Sequence, residues 1–451
     1  MSENSFPSSK KRFALTETSD TCYKDKEDYL NWYRLDNAAT VFSLVSSKRT
    51  PCLFRLSATL DAPIKIKELQ LALENIIPRF PYYKVHVRRG LFWNFLEANE
   101  GIPVVIKDSK YPCKKMPIPK KGIFPFRVRA FSHRIAVEFH HCLTDGTGAL
   151  TFLQALITEY YKLLNVEIVD WGEIFRPHQE PELEEYEDAY KKNYRPGTPN
   201  PPDKTRAFHL PFKLEPKGVY NLITGVLSVK DILNITRSKG VTITEYLVAV
   251  YIDALQDIMY QIPERKRKKY LKPIRIMVPV DLRRIYESKT MRNFSLFITP
   301  GIDPRLGRYS FKDILKKVHH YMQVEVDDKL INQQIARNVR GELNPLVRIA
   351  PSFIKKLFGK IIFRRKGVLT YSGVLTNLGK VTMPKEIYNR ISRFEFFPAP
   401  QSVTKTGCGV ISYKDNLVIN FGRTIKETHL EKLFFRKLVQ EGLSVKIESN
   451  I

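Results

Sequence analysis

The sequence predicts a mixed α/β protein of two domains, and three observations carry that prediction. The chain has 451 residues, too many for one ordinary core, so two domains of roughly 200 residues each are expected. Strand-like alternation and helix-like periodicity interleave with hairpins rather than in the regular βαβ order of a doubly wound sheet. Midway stands Arg195-Pro196-Gly197-Thr198-Pro199-Asn200-Pro201-Pro202, a run that cannot form regular structure. The organisation thus reads as a basic arm over 1–22, a first domain over 23–195, a linker over 196–208 and a second domain over 209–451.

The elements follow in order. Met1 to about Asp20 is rich in Ser and Lys and reads as a flexible arm. Phe54 to Leu60 alternates as a strand. Asp61 and Pro63 open a helix whose apolar positions Ile66, Leu69, Leu73, Ile76 and Ile77 keep the 3.6-residue period until Pro78 stops it. Tyr82 to Val87 reads as the next strand. Ile135, Val137 and Phe139 alternate into a strand that ends at His140, and Leu150, Leu153, Leu156, Ile157, Tyr160 and Leu164 share one face of the following helix. After the linker, Val229 to Lys239 is a helix closed by Gly240, and Ile243 to Ile258 a buried one. Strands are predicted at Arg275 to Val280, Val368 to Tyr371, Gly409 to Tyr413 and Leu417 to Phe421.

Composition narrows the function. Hydrophobic residues at 43% and aromatics at 12% describe a packed globular chain. The net charge of +27 comes in short runs such as Arg265 to Lys269 and Arg364-Arg365-Lys366. Such charge suits nucleic acid, an anionic membrane or a polyphosphate ligand; without zinc-finger spacing or an RNP-type signature, nucleic acid is the weakest of these. Five scattered cysteines argue against a disulfide framework and for a reducing compartment. The polar first residues lack a signal-peptide core, and no uncharged apolar run approaches 18 residues. A cytoplasmic protein is expected.

The chemistry concentrates at His140-His141-Cys142-Leu143-Thr144-Asp145-Gly146, an HHxxxDG pattern at the strand-to-helix junction. An imidazole there can take a proton from a hydroxyl or amine near neutral pH, and the aspartate can turn the chain and hold the ring. His140 and His141 are neighbours whose side chains diverge, and no third ligand stands at zinc spacing, so no metal is expected. His319-His320 on a surface helix and Cys142 in the turn read as structural.

With these residues the chain resembles the CoA-dependent acyltransferase superfamily, which includes chloramphenicol acetyltransferase, condensation domains and alcohol O-acetyltransferases. Other segments agree in family order: Leu69 to Glu74 with Arg79-Phe80-Pro81, Gly240 to Leu247, Val278 to Arg283 with Arg292-Asn293-Phe294, and Thr376-Asn377-Leu378-Gly379. The resemblance implies two chloramphenicol-acetyltransferase-like domains paired as a pseudo-dimer with a tunnel between them. It implies His141 as general base, with His140 beside it, and Asp145 turned away from the histidine to pair with an arginine, matched by Arg283 with Arg284 as the alternative. Gly146 would leave room for substrate, while Thr376, Asn377 and Asn293 would contact substrate or the oxyanion. No permanently bound cofactor is implied; an acyl-CoA, or an acyl-carrier thioester, would be the donor and a small or lipophilic alcohol the acceptor.

Two departures mark this chain. Asn420-Phe421-Gly422-Arg423-Thr424 stands where the plant branch has Asp-Phe-Gly-Trp-Gly, and Lys84 stands where condensation domains carry arginine. The chain reads as free-standing and closest to the alcohol O-acetyltransferase branch. Its alternatives are a condensation-type catalyst served by an acyl carrier protein, making ester or amide, and a non-catalytic protein that keeps the fold and binds membrane or nucleic acid. Peripheral contact with anionic membrane is compatible with each.

Overall fold

The computed structural model describes residues 32–450, so the arm expected over 1–22 lies outside the described residues. The first half contributes strands β1 (Trp32–Arg34), β2 (Leu53–Leu60), β3 (Val85–Arg89), β4 (Asn94–Ala98), β5 (Val105–Lys107), β6 (Phe126–Phe131) and β7 (Arg134–His140). Its longer helices are α1 (Asn37–Val45), α2 (Ile66–Ile76) and α3 (Gly146–Leu163). The second half adds β8 (Asn221–Ser228), β9 (Ile274–Asp281), β10 (Ser295–Ile298), β11 (Gly301–Ile302), β12 (Gly373–Lys380), β13 (Ile391–Phe397), β14 (Thr406–Tyr413), β15 (Asn416–Arg423) and β16 (Lys446–Ser449). Its longer helices are α4 (Val229–Ser238), α5 (Ile243–Gln261), α6 (Phe311–Glu325), α7 (Asp328–Leu343), α8 (Ser352–Ile362) and α9 (His429–Gln440).

Hydrogen bonding sorts these strands into sheets ordered β1-β4-β3, β13-β2-β7-β6-β5 and β10-β9-β12-β14-β15-β8-β16, with β11 beside β9. Parallel pairs (β5 with β6, β9 with β12, β12 with β14) stand among antiparallel ones, giving the mixed architecture predicted. β13 departs from the division into halves. The chain leaves β12, adds β13 to the outer edge of β2 with Phe394 opposite Ala58 and Phe396 opposite Leu56, then returns as β14. Ile391, Phe394, Phe396 and Tyr413 accordingly pack in one core with Phe54, Leu56, Val137 and Phe152. A second core surrounds α5, whose start is fixed by reciprocal bonds between Thr242 and Glu245.

Sequence and structure part at two places. Val368 to Tyr371, predicted as a strand, is a 3-10 turn over 368–370, and the strand starts at Gly373. Val368, Tyr371 and Val374 bury together against Phe363, so a helical turn satisfies the same apolar residues. An added Cβ on Gly373 would lie 2.6 Å from the Tyr251 hydroxyl, an approach that only glycine permits. Tyr82 and Tyr83 belong to a buried turn, and extended structure begins at Val85. The acidic stretch from Glu180 to Asp188, which precedes the linker, is tightly held: Glu185 accepts two bonds of 2.7 Å from the guanidinium of Arg79, and the Tyr82 hydroxyl donates to it at 2.7 Å.

Candidate active site

The motif sits where predicted, between β7 and α3. Asp145 is the N-cap of α3, its carboxylate accepting from the Gly148 N–H at 3.4 Å. The same carboxylate accepts a forked pair from Arg283, at 3.0 Å from Nη1 and 3.2 Å from Nη2, and a 2.9 Å bond from the Phe294 N–H. Arg283 is equally committed: Nη1 also reaches Asp281 at 2.9 Å, Nε the Thr290 carbonyl at 2.8 Å and Nη2 the Arg292 carbonyl at 2.5 Å. Burial by itself would lower the affinity of Arg283 for its proton, but Asp145 and Asp281 more than offset that, and the guanidinium is held charged.

The segment between β9 and β10 fastens the motif at further points. Thr144 and Tyr83 both donate to the Met291 carbonyl, at 2.7 and 2.9 Å. Asn293 donates one amide hydrogen to the His141 carbonyl at 2.9 Å and the other to Asp36 at 3.3 Å. Asp36 caps α1 through the Ala39 N–H at 2.7 Å, and burial raises its carboxyl to about 6. One asparagine thus fixes the backbone of His141 and the start of α1 together.

α1 matters because it carries Phe42. The Phe42 ring stacks on the His141 imidazole at 4.5 Å between centroids and 21° between planes. Phe54 lies against the same imidazole, also at 4.5 Å but tilted by 40°. The Nδ1 atom of His141 is buried without a hydrogen-bond partner. Burial pulls the His141 proton affinity down to about 4, with the Asp145 charge acting in the opposite direction. The ring is therefore neutral across the physiological range and available as a proton acceptor. His140 is fully buried; its Nδ1 accepts from the Cys142 N–H at 3.1 Å, and burial lowers it to about 3. A histidine that stays neutral and bonds its own turn shapes the loop.

The other expected contacts are tied into the protein as follows. Asn293, expected to face substrate or the oxyanion, uses both amide hydrogens on His141 and Asp36. Asn377 donates to Thr244 at 3.0 Å and accepts from the Gly379 N–H at 2.9 Å, shaping a turn in which Gly379 has φ of +79°. Thr376 lies in β12 opposite Gly409 and is half-buried. The late loop meets the motif through Leu378 instead: its Cδ2 would lie 2.8 Å from a Cβ on Gly146, filling the room that glycine leaves. Gly148, which sequence reasoning did not single out, is confined more tightly. Its added Cβ would fall 2.2 Å from Thr144 Oγ1, 2.5 Å from the Tyr83 hydroxyl and 2.9 Å from the Met291 carbonyl. Phe42, Phe54 and Tyr83 carry no local signal, since only the fold brings them to the motif. Among the described residues, no three His, Cys, Asp or Glu side chains are grouped to hold a metal ion.

No family model matches the chain, and no curated protein matches it in sequence. Solved structures do match it over nearly its whole length. Trichothecene 15-O-acetyltransferase from Fusarium sporotrichioides aligns with a TM-score of 0.57 at 12% identity, covering 91% of this chain and 94% of that one. Polyketide synthase associated protein 5 from Mycobacterium tuberculosis gives 0.56 at 14%, covering 90% and 96%. The starter condensation domain of rhizomide synthetase, solved with C8-CoA, gives 0.56 at 11%, covering 92% and 94%. This chain has the fold that CoA-dependent acyltransferases and condensation domains share.

Proposed function

We propose that this protein is an acyltransferase that moves an acetyl or longer acyl group from a CoA thioester to an alcohol, with His141 as general base. The observation that carries the reading is a neutral imidazole at the motif whose neighbouring aspartate is tied to Arg283 and not to the ring. Such an imidazole accepts the hydroxyl proton as the alcohol oxygen attacks the thioester carbonyl. The tetrahedral intermediate then breaks its C–S bond, and the imidazolium returns the proton to the departing thiolate. Ester and free thiol result, and no acyl-enzyme forms. Proton removal contributes roughly 10²–10⁴-fold, and alignment of the two substrates supplies the larger share.

Charge supports a phosphate-bearing donor. One cavity is lined by Arg206, Lys269, Lys272, Arg364 and Lys405 with no carboxylate among its lining residues. Lys272 is pulled below its ordinary value by burial and by the charges of Arg206 and Lys269, a strain that an anion relieves. The test is release of free CoA from acetyl-CoA and octanoyl-CoA in the presence of a panel of alcohols. Turnover that falls at least about 10²-fold in His141→Ala supports the reading; unchanged turnover in that variant overturns it. Comparing the free thioester with a carrier-loaded one separates the CoA donor from the carrier-protein alternative.

A further inference from the structure

Residues 345–367 hold seven basic residues and no acidic one. Within that stretch α8 is turned inside out. Helices of soluble proteins direct their apolar stripe to the core, yet Phe353, Leu357, Phe358, Ile361 and Ile362 of α8 are all exposed, Phe353 to 73%. The opposite face meets the protein. Lys355 is buried, its Nζ donating to the Phe92 carbonyl at 2.9 Å and lying 3.3 Å from the centre of the Trp93 ring. An added Cβ on Gly359 would sit 3.6 Å from Leu44 of α1.

The apolar surface continues past the helix. Leu346 and Ile349, in the short helix Pro345–Ile349, are exposed to 75% and 68%. Leu91, exposed to 73%, is joined on the other side through the Ser352 N–H, which donates to its carbonyl at 2.9 Å. Beyond α8 a wider helical turn over Phe363–Gly367 presents Arg364, Arg365 and Lys366. Lys356 and Lys360 are exposed along the helix itself.

We infer that this ridge is a docking surface for a bilayer carrying anionic lipid. Its apolar side chains stand outward from a helix instead of lining a groove, the form that enters a headgroup layer. A flank of lysine and arginine, in which Lys366 also meets the Asp203 carboxylate at 3.3 Å, complements acidic headgroups. No helix among the described residues is long and apolar enough to cross a membrane, so the contact is peripheral. Docking also has a direction. Phe363 meets Phe42 edge-on at 6.4 Å, and Phe42 stacks on His141, so a single helix, α1, separates the ridge from the imidazole. The assignment stands independently of the proposed reaction; only its corollary, that the site draws a lipophilic substrate from the bilayer, rests on that reading.

The test is flotation of the full chain with phosphatidylcholine vesicles, with and without phosphatidylserine. The wild-type protein floats with the phosphatidylserine vesicles, and less so at high salt. Substituting Phe353, Leu357, Phe358 and Ile361 together by serine lowers the bound fraction at least tenfold, with an unchanged circular dichroism spectrum and melting temperature. The triple variant Lys356→Glu, Lys360→Glu, Arg365→Glu loses the preference for phosphatidylserine. Wild-type protein that stays with the unbound fraction, or a serine variant that floats equally, overturns the inference. So does a wild-type dimer in sedimentation velocity that the serine variant dissolves without any vesicle binding, since the ridge would then cover a second copy of the chain.

Discussion

Replacing Asp145 by asparagine isolates the bond set that locks the motif to the second half. The carboxylate takes four donors: two from Arg283 at 3.0 and 3.2 Å, the Phe294 N–H at 2.9 Å and the Gly148 N–H at 3.4 Å. Asparagine keeps one acceptor oxygen and turns an amide donor toward groups that also donate, so at least one of the four is orphaned and another repelled. Removing one partner of a buried ion pair costs about 3–5 kcal/mol. Arg283 retains Asp281 at 2.9 Å, which places the pair's share near the lower limit, while an unpaired Phe294 N–H adds about 1–3 kcal/mol. The expected destabilisation is therefore about 4–6 kcal/mol, a large part of the roughly 5–15 kcal/mol that holds a typical native chain together. Urea unfolding followed by circular dichroism reads it as a lowered midpoint. The double variant with Arg283→Met completes a cycle, and its coupling is expected to exceed about 1 kcal/mol. An unfolding midpoint equal to the wild type, or two strictly additive substitutions, refutes the claim that this pair fixes the geometry of the site.

Four further outcomes follow from the same geometry. Because burial holds His141 near 4, the base form persists well below the ordinary histidine value, and kcat/KM falls only as pH drops toward that value; an acidic limb centred near 6.5 contradicts the desolvated ring. Stability moves in the same direction: below about 6.5 the unfolded chain takes up protons that folded His140 and His141 refuse. The unfolding midpoint measured against pH therefore declines as pH falls through that window. Phe42→Ala exposes the imidazole and shifts the acidic limb of the kcat/KM profile upward toward 6.5, while an unmoved limb removes Phe42 as a cause of the shift. Gly148→Ala forces a methyl to within 2.2 Å of Thr144 Oγ1 and 2.9 Å of a backbone carbonyl, and a loss of about 1–3 kcal/mol is expected in the same urea assay.

The parts of the site legible in the sequence are those that local chain logic dictates. Alternation into His140 followed by a helical period located the strand-to-helix junction, and the N-cap at Asp145 is the ordinary consequence of an aspartate before such a helix. The Arg283 partner came from family resemblance, and the structure places it on Asp145. What the sequence hid depends on contacts between distant residues. Phe42 and Phe54 reach His141 only through the packing of α1 and β2, and the bonds from Asn293 to His141 and Asp36 likewise emerge only in the fold. Gly146 and Gly148 are indistinguishable as letters, and only the atoms around them show that Thr144, Tyr83 and Met291 crowd the second. Among the strands, Val368 to Tyr371 failed because the apolar pattern of a buried 3-10 turn is the same as that of a short strand.

The strand β13 gives the chain an unusual order of assembly. Ala58 of β2 pairs with Phe394, so the first half's sheet cannot acquire its outer strand until almost the entire polypeptide exists. A chain emerging from a ribosome can form β2, β7 and β6 once His140 has been made, but the free edge of β2 then stays open through all of β8 to β12. Contacts of such separation are slow to close, and an unpaired edge left waiting invites pairing with the wrong strand. The nascent protein therefore depends on late residues to protect early ones, and truncation anywhere before Ile391 leaves that edge uncovered for good.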